Sequence, residues 1–120
     1  MLGEARQKAL LEGLAALPQG DRLCHGDFHP MNILGSPGRE MVVDWLDASR
    51  GDPAADVCRS YVLMKPSYSE LASAYLAIYS ELSGVGKERI LRWLPFVAAA
   101  RLAEGVPNEV DQLMAMADAI

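Results

Sequence analysis

Cysteine, histidine and positive charge are all scarce in this sequence. Two cysteines, Cys24 and Cys58, in 120 residues are too few for the disulfide framework of a small secreted domain. Reduced thiols are the expectation. Eleven Lys and Arg stand against sixteen Asp and Glu, a net charge of −5, which excludes the broad basic footprint of a nucleic-acid binder. The acidic balance suits cationic ligands, or anions that arrive with a divalent metal. No run approaches the roughly 20 apolar residues of a membrane helix. Glu4, Lys8 and Glu12 interrupt the N-terminal stretch that a signal peptide would keep apolar. A soluble cytoplasmic protein with no membrane partner is expected. Internal repeats and low-complexity tracts are absent as well.

What is present has the composition of an ordinary folded domain, 51% hydrophobic and 22% charged. By length, residues 1–120 make a single domain. Leu10, Leu14 and Leu17 recur at helical spacing over residues 4–17, before Pro18 and Gly20. Ile33-Leu34 and Met41-Val42-Val43 flank a Gly/Pro turn and read as a β-hairpin. Asp52-Pro53 predicts an N-capped helix to about residue 64. Ser67 and Glu70 have capping-box spacing for a helix to about residue 82. A third helix over residues 87–103 contains Pro95, which should kink or divide it, and a last one follows Pro107. The fold class expected is mainly α with one small β-hairpin.

Residues 23–34, LCHGDFHPMNIL, crowd Cys24, His25, Asp27, His29 and Asn32 beside that hairpin. Three chemistries compete. His25, Asp27, His29 and Cys24 could ligate zinc, but no CxxC or HExxH spacing supports them; a zinc-dependent hydrolase is the lesser alternative. Cys24 beside His25 could make a thiol nucleophile, yet neighbours in an extended segment point to opposite faces, and Cys24 reads as a small buried hydrophobe. The third chemistry is phosphoryl transfer. His25-Gly26-Asp27 followed by Asn32 is similar to the kinase catalytic loop, whose aspartate takes the acceptor proton and whose asparagine binds Mg2+. That scheme needs a second metal-binding aspartate after a hairpin, and Asp44 stands there.

HGDFHPMNIL together with VVDWLDASRGDPAADV resembles the catalytic core of the aminoglycoside phosphotransferase (APH/choline kinase-like) family. The likeness runs over residues 23–63 and extends less specifically to the flanking helices. It implies the C-terminal lobe of the protein-kinase-like fold. It also implies Mg2+-dependent transfer from ATP or GTP to a hydroxyl of a small molecule. By the same resemblance Asp27 is the catalytic base, Asn32 and Asp44 hold Mg2+ and nucleotide, and His25 and Asp56 brace the loop. The roles of His29 and Asp47 stay open. Trp45, Trp93, Tyr61 and Tyr75 read as core or interface residues, and Glu104, Glu109 and Asp111 as a solvated face that in an intact enzyme could meet a cationic acceptor.

No glycine-rich loop or strand lysine precedes residue 23. The expectation is therefore a C-terminal lobe without its N-terminal nucleotide lobe, weakly active or inactive by itself. A non-catalytic remnant or binding domain is the alternative. The face that the second lobe would cover is expected to self-associate into a homodimer.

Overall fold

In a computed structural model, which describes residues 2–118, helix α1 (Glu4–Ala15) leads into strand β1 (Arg22–Cys24) and a 3-10 turn (Pro30–Asn32). Strands β2 (Ile33–Leu34), β3 (Met41–Val42) and β4 (Ser49–Gly51) follow. The rest is helical: α2 (Pro53–Met64), α3 (Ser69–Ser83), α4 (Lys87–Leu91), α5 (Leu94–Ala103) and α6 (Val110–Ala117). No helix among the described residues is long and apolar enough to cross a membrane.

Helix α2 is the element around which the others pack. Its start follows from two residues: the extended Asp52 accepts the Ala54 N–H at 3.0 Å, and Pro53 fills the first helical position. Ala54, Val57, Cys58, Ser60, Val62 and Met64 are all buried, so apolar surface runs nearly around the helix, as a central position demands. One side joins Leu76 of α3 and Ile90 of α4 in a core with Tyr75, Tyr79 and Trp93 packed against it. Val62 joins a second core with Ala98 and Leu102 of α5 and Leu113 and Ala117 of α6. Arg6 ties α1 to the end of α6 by donating to the Ala117 carbonyl.

Pro95 divides the third helical stretch. Helix α4 stops at Leu91, and α5 starts at Leu94 with the proline in its first turn, where its missing N–H costs nothing. Two expectations need correction. Helix α3 is capped at Tyr68 with no side-chain cap bond, so the Ser67–Glu70 capping box does not form. Helix α1 ends at Ala15, short of Leu17, and of the three spaced leucines only Leu10 is buried, with Leu14 41% exposed.

The sheet content also differs from the single hairpin read from the sequence. Strands β2 and β3 do form that hairpin, Ile33 opposite Val42 and Leu34 opposite Met41. A second antiparallel pair, β1 with β4, sets Arg22 opposite Gly51 and Cys24 opposite Ser49. This pairing positions the candidate site. Strand β1 ends one residue before His25 and β4 ends one residue before Asp52, so the polar loop is delivered to the first turns of α2.

Candidate active site

The loop's backbone is held by one face of α2. Asp56 accepts the His25 N–H with Oδ2 at 2.9 Å and the Gly26 N–H with Oδ1 at 2.8 Å. One turn later Arg59 donates from Nε to the Gly26 carbonyl at 2.7 Å. Gly26 has φ +87°, and a Cβ there would stand 2.5 Å from the Asp47 carbonyl oxygen. Both the left-handed backbone and the close approach call for glycine. Asp47 itself is exposed, and its backbone approaches the loop at Gly26.

His25 is 4% exposed and both of its ring nitrogens are engaged. Nδ1 accepts the Asp27 N–H at 3.0 Å, and Nε2 lies 2.8 Å from the Val43 carbonyl. Because an amide N–H must meet a bare nitrogen, the ring carries its proton on Nε2 and donates it to Val43. His25 thus links the loop to the segment just beyond the hairpin. The Trp45 ring covers it at 4.5 Å between centroids, itself 46% exposed and held by an Nε1 bond to the Val42 carbonyl.

Asn32, 8% exposed, donates from Nδ2 to the Asp27 carbonyl at 2.8 Å and reaches the Asp27 carboxylate at 3.2 Å. The two residues that sequence spacing singled out are therefore in direct contact. His29 lies against both, with Nε2 3.5 Å from the Asp27 carboxylate. Its Nδ1 accepts the Met31 N–H and caps the 3-10 turn. The Asp27 side chain is about a quarter exposed, so it is held in place yet open to a reactant.

Asp44 follows Val43, whose N–H bonds the Asn32 carbonyl at 2.9 Å. The backbone of Asp44 is left-handed, φ 60°, and its side chain is exposed. Aspartate is among the few non-glycine residues that enter this region, as Asn108 also does. The donor types suit Mg2+: the Asn32 amide nitrogen is taken up by Asp27, which leaves the Asn32 amide oxygen and the Asp44 carboxylate as hard oxygen donors. Mg2+ takes hard oxygen ligands, commonly one or two carboxylates with phosphate and water completing the shell. Among the described residues no group of three or more His, Cys, Asp or Glu could hold a metal ion of any kind. The cysteines stand apart from the chemistry: burial raises the Cys24 thiol and pushes the Cys58 thiol up to about 12, far from a reactive thiolate.

Sequence reasoning passed over Arg59, whose contacts to the loop span 33 positions. It also read Glu104 and Glu109 as a solvated face. They are paired instead: Glu104 lies 2.8 Å from Arg59 and 2.7 Å from Arg101, and Arg101 reaches Glu109 at 3.0 Å. Only the i, i+3 spacing of Arg101 and Glu104 was visible beforehand. A cavity of about 300 Å3 lies behind the loop, lined in part by Gly26, Asp56, Arg59, Trp93 and Phe96. Asp27, Asn32 and Asp44 do not line it.

The model of the phosphotransferase enzyme family (APH) matches residues 2–94. No curated protein and no solved structure matches the chain.

Proposed function

The chain belongs to the phosphotransferase enzyme family, and from that premise we propose that it forms the catalytic-loop and acceptor lobe of a small-molecule O-phosphotransferase. Its donor is ATP or GTP with Mg2+, and its acceptor is a hydroxyl of a small molecule, cationic by complementarity to the chain's charge of −5. The single observation that carries this reading is the Asn32 to Asp27 contact at 2.8 Å, within a loop clamped by Asp56.

Asp27 orients the acceptor hydroxyl by accepting its hydrogen bond. As the hydroxyl oxygen attacks phosphorus, the proton passes to the Asp27 carboxylate. His25 fixes the Asp27 backbone, and Asn32 restrains the carboxylate, so little reorganisation is left for the reaction itself. Asn32 and Asp44 would hold Mg2+, which when bound neutralises charge on the phosphates. Residues 2–118 include no glycine-rich phosphate loop and no strand lysine, so turnover by this chain alone is proposed to be weak.

Calorimetry with Mg2+-ATP and Mg2+-GTP tests the reading. Binding is expected for the wild type and for Asp27→Asn, and is expected to vanish in Asp44→Ala. If the wild type binds neither nucleotide, the phosphotransfer reading falls and a non-catalytic binding domain takes its place.

A further inference from the structure

The loop peptide between Gly26 and Asp27 is held only by side chains, the Asp27 N–H by His25 and the Gly26 carbonyl by Arg59. Gly26 has no side chain and sits at φ +87°, so this peptide can rotate at little steric cost. Rotation would turn the Asp27 N–H away from His25 Nδ1, 3.0 Å distant, and redirect the carboxylate. Asp56 holds the preceding N–H groups, of His25 and Gly26, but touches neither end of this peptide. Its carbonyl is held by Arg59 Nε at 2.7 Å.

We propose that Arg59 is a positioning residue, which locks the Gly26–Asp27 peptide and so aims the Asp27 carboxylate. The proposal rests on the phosphotransfer reading for its purpose, but not for its geometry. Three observations carry it. Asp56 and Arg59 are one turn apart on α2, so a single rigid helix supplies the acceptor for the Gly26 N–H and the donor for the Gly26 carbonyl. The far end of the Arg59 guanidinium lies 2.8 Å from Glu104 at the end of α5. Glu104 in turn meets Arg101, and Arg101 meets Glu109 ahead of α6. The guanidinium is thus gripped at both ends, and its fixed planar fork is the group suited to two partners at once. No lysine and no other arginine among the described residues bonds residues 25–27.

The role is separable from simple packing, because the lock acts on one peptide. Removing the guanidinium should free the Asp27 amide while the core of α2 stays protected. The test is amide hydrogen exchange by NMR on the whole chain. In Arg59→Ala the Asp27 amide is expected to exchange roughly ten- to a hundredfold faster, the factor for losing one charge-assisted bond, with the amides of Val57, Cys58 and Val62 unchanged. Methylguanidinium at millimolar concentrations should enter through the cavity of about 300 Å3 that Arg59 lines and restore the wild-type rate. Arg59→Leu keeps the packing of the stem without the donor, and it covers the case in which the alanine variant does not fold. Unchanged exchange at Asp27, or acceleration shared with Val57, Cys58 and Val62, overturns the proposal. The measurement needs no nucleotide or acceptor, so a failure of Mg2+-nucleotide binding would strike the phosphotransfer reading and leave this result standing.

Discussion

Asn32 donates its side-chain N–H to the main-chain carbonyl of Asp27 at 2.8 Å, and the same nitrogen lies 3.2 Å from the Asp27 carboxylate. Five residues of chain are thereby closed into a loop by one amide group. Asn32→Ala should lose about 1–2 kcal/mol, since a largely buried carbonyl loses its donor. Asn32→Asp should lose more, although it keeps the shape and adds a metal-ligating charge. It places a carboxylate against a carbonyl and a second carboxylate, a repulsion that the His29 Nε2 group, 3.4 Å from the Asn32 amide, offsets only in part. Urea unfolding of both variants at neutral pH decides the order. An aspartate variant as stable as the alanine one would show that the Asp27 contact is not formed in solution.

Two glycines with similar backbone angles offer a controlled comparison. Gly26 and Gly38 have φ of +87° and +83°, but a Cβ on Gly26 would meet the Asp47 carbonyl at 2.5 Å and one on Gly38 would meet nothing within 4 Å. Gly38→Ala should therefore cost only the left-handed backbone penalty, about 1 kcal/mol. Gly26→Ala should cost about 3 kcal/mol or more, because backbone must also move. Matched denaturation midpoints for the pair would mean that the approach of Asp47 to the loop is loose.

How much of this was legible in the sequence depended on how far apart the cooperating residues lie. Asp27 and Asn32 are five apart, and their spacing was readable. Asp52-Pro53 and Pro95 act on their own backbones, and both helix boundaries followed. The β1–β4 pairing was not readable, because Arg22–Cys24 and Ser49–Gly51 are three-residue strands without an alternating apolar pattern. Arg59 was invisible for a related reason: its partners are Gly26 and Glu104, and no local rule connects them. The Ser67–Glu70 spacing suggested a capping box, but the chain enters α3 at Tyr68 and the box has no geometry in which to close.

Stability at low pH should depend on Glu104. Burial works to raise its pKa, but Arg59 and Arg101 outweigh that and hold the carboxyl below the ordinary glutamate value. A group whose pKa is lowered by folding binds its proton more readily in the unfolded chain. Its contribution is therefore complete above the unfolded value, about 4.3, and is lost as pH falls through the lower folded value. Glu104→Gln should flatten that part of the profile and leave stability above it nearly independent of pH. Denaturant midpoints for wild type and variant across the acidic range check this. Parallel curves would show that the ion pairs with Arg59 and Arg101 are too solvated to matter.

The hairpin end of the molecule should drive self-association. Leu23 is 74% exposed, Met31 71%, Met41 65% and Leu46 91%, with Leu34 and Trp45 about half exposed beside them. Monomeric proteins seldom show so many large apolar side chains on neighbouring segments. The two-stranded hairpin also leaves an unpaired edge on each strand, which invites pairing with another chain. We propose a homodimer formed through this face, expected in light scattering at tens of micromolar. Leu46→Lys should shift the chain toward monomer, because a charge would be buried at the contact. It should leave Tm nearly unchanged when monomers are compared, since Leu46 contributes almost nothing to the cores around α2. A monomer mass for the wild type at those concentrations would rule the interface out. A lower Tm for the variant than for wild type diluted to monomer would place Leu46 inside the fold.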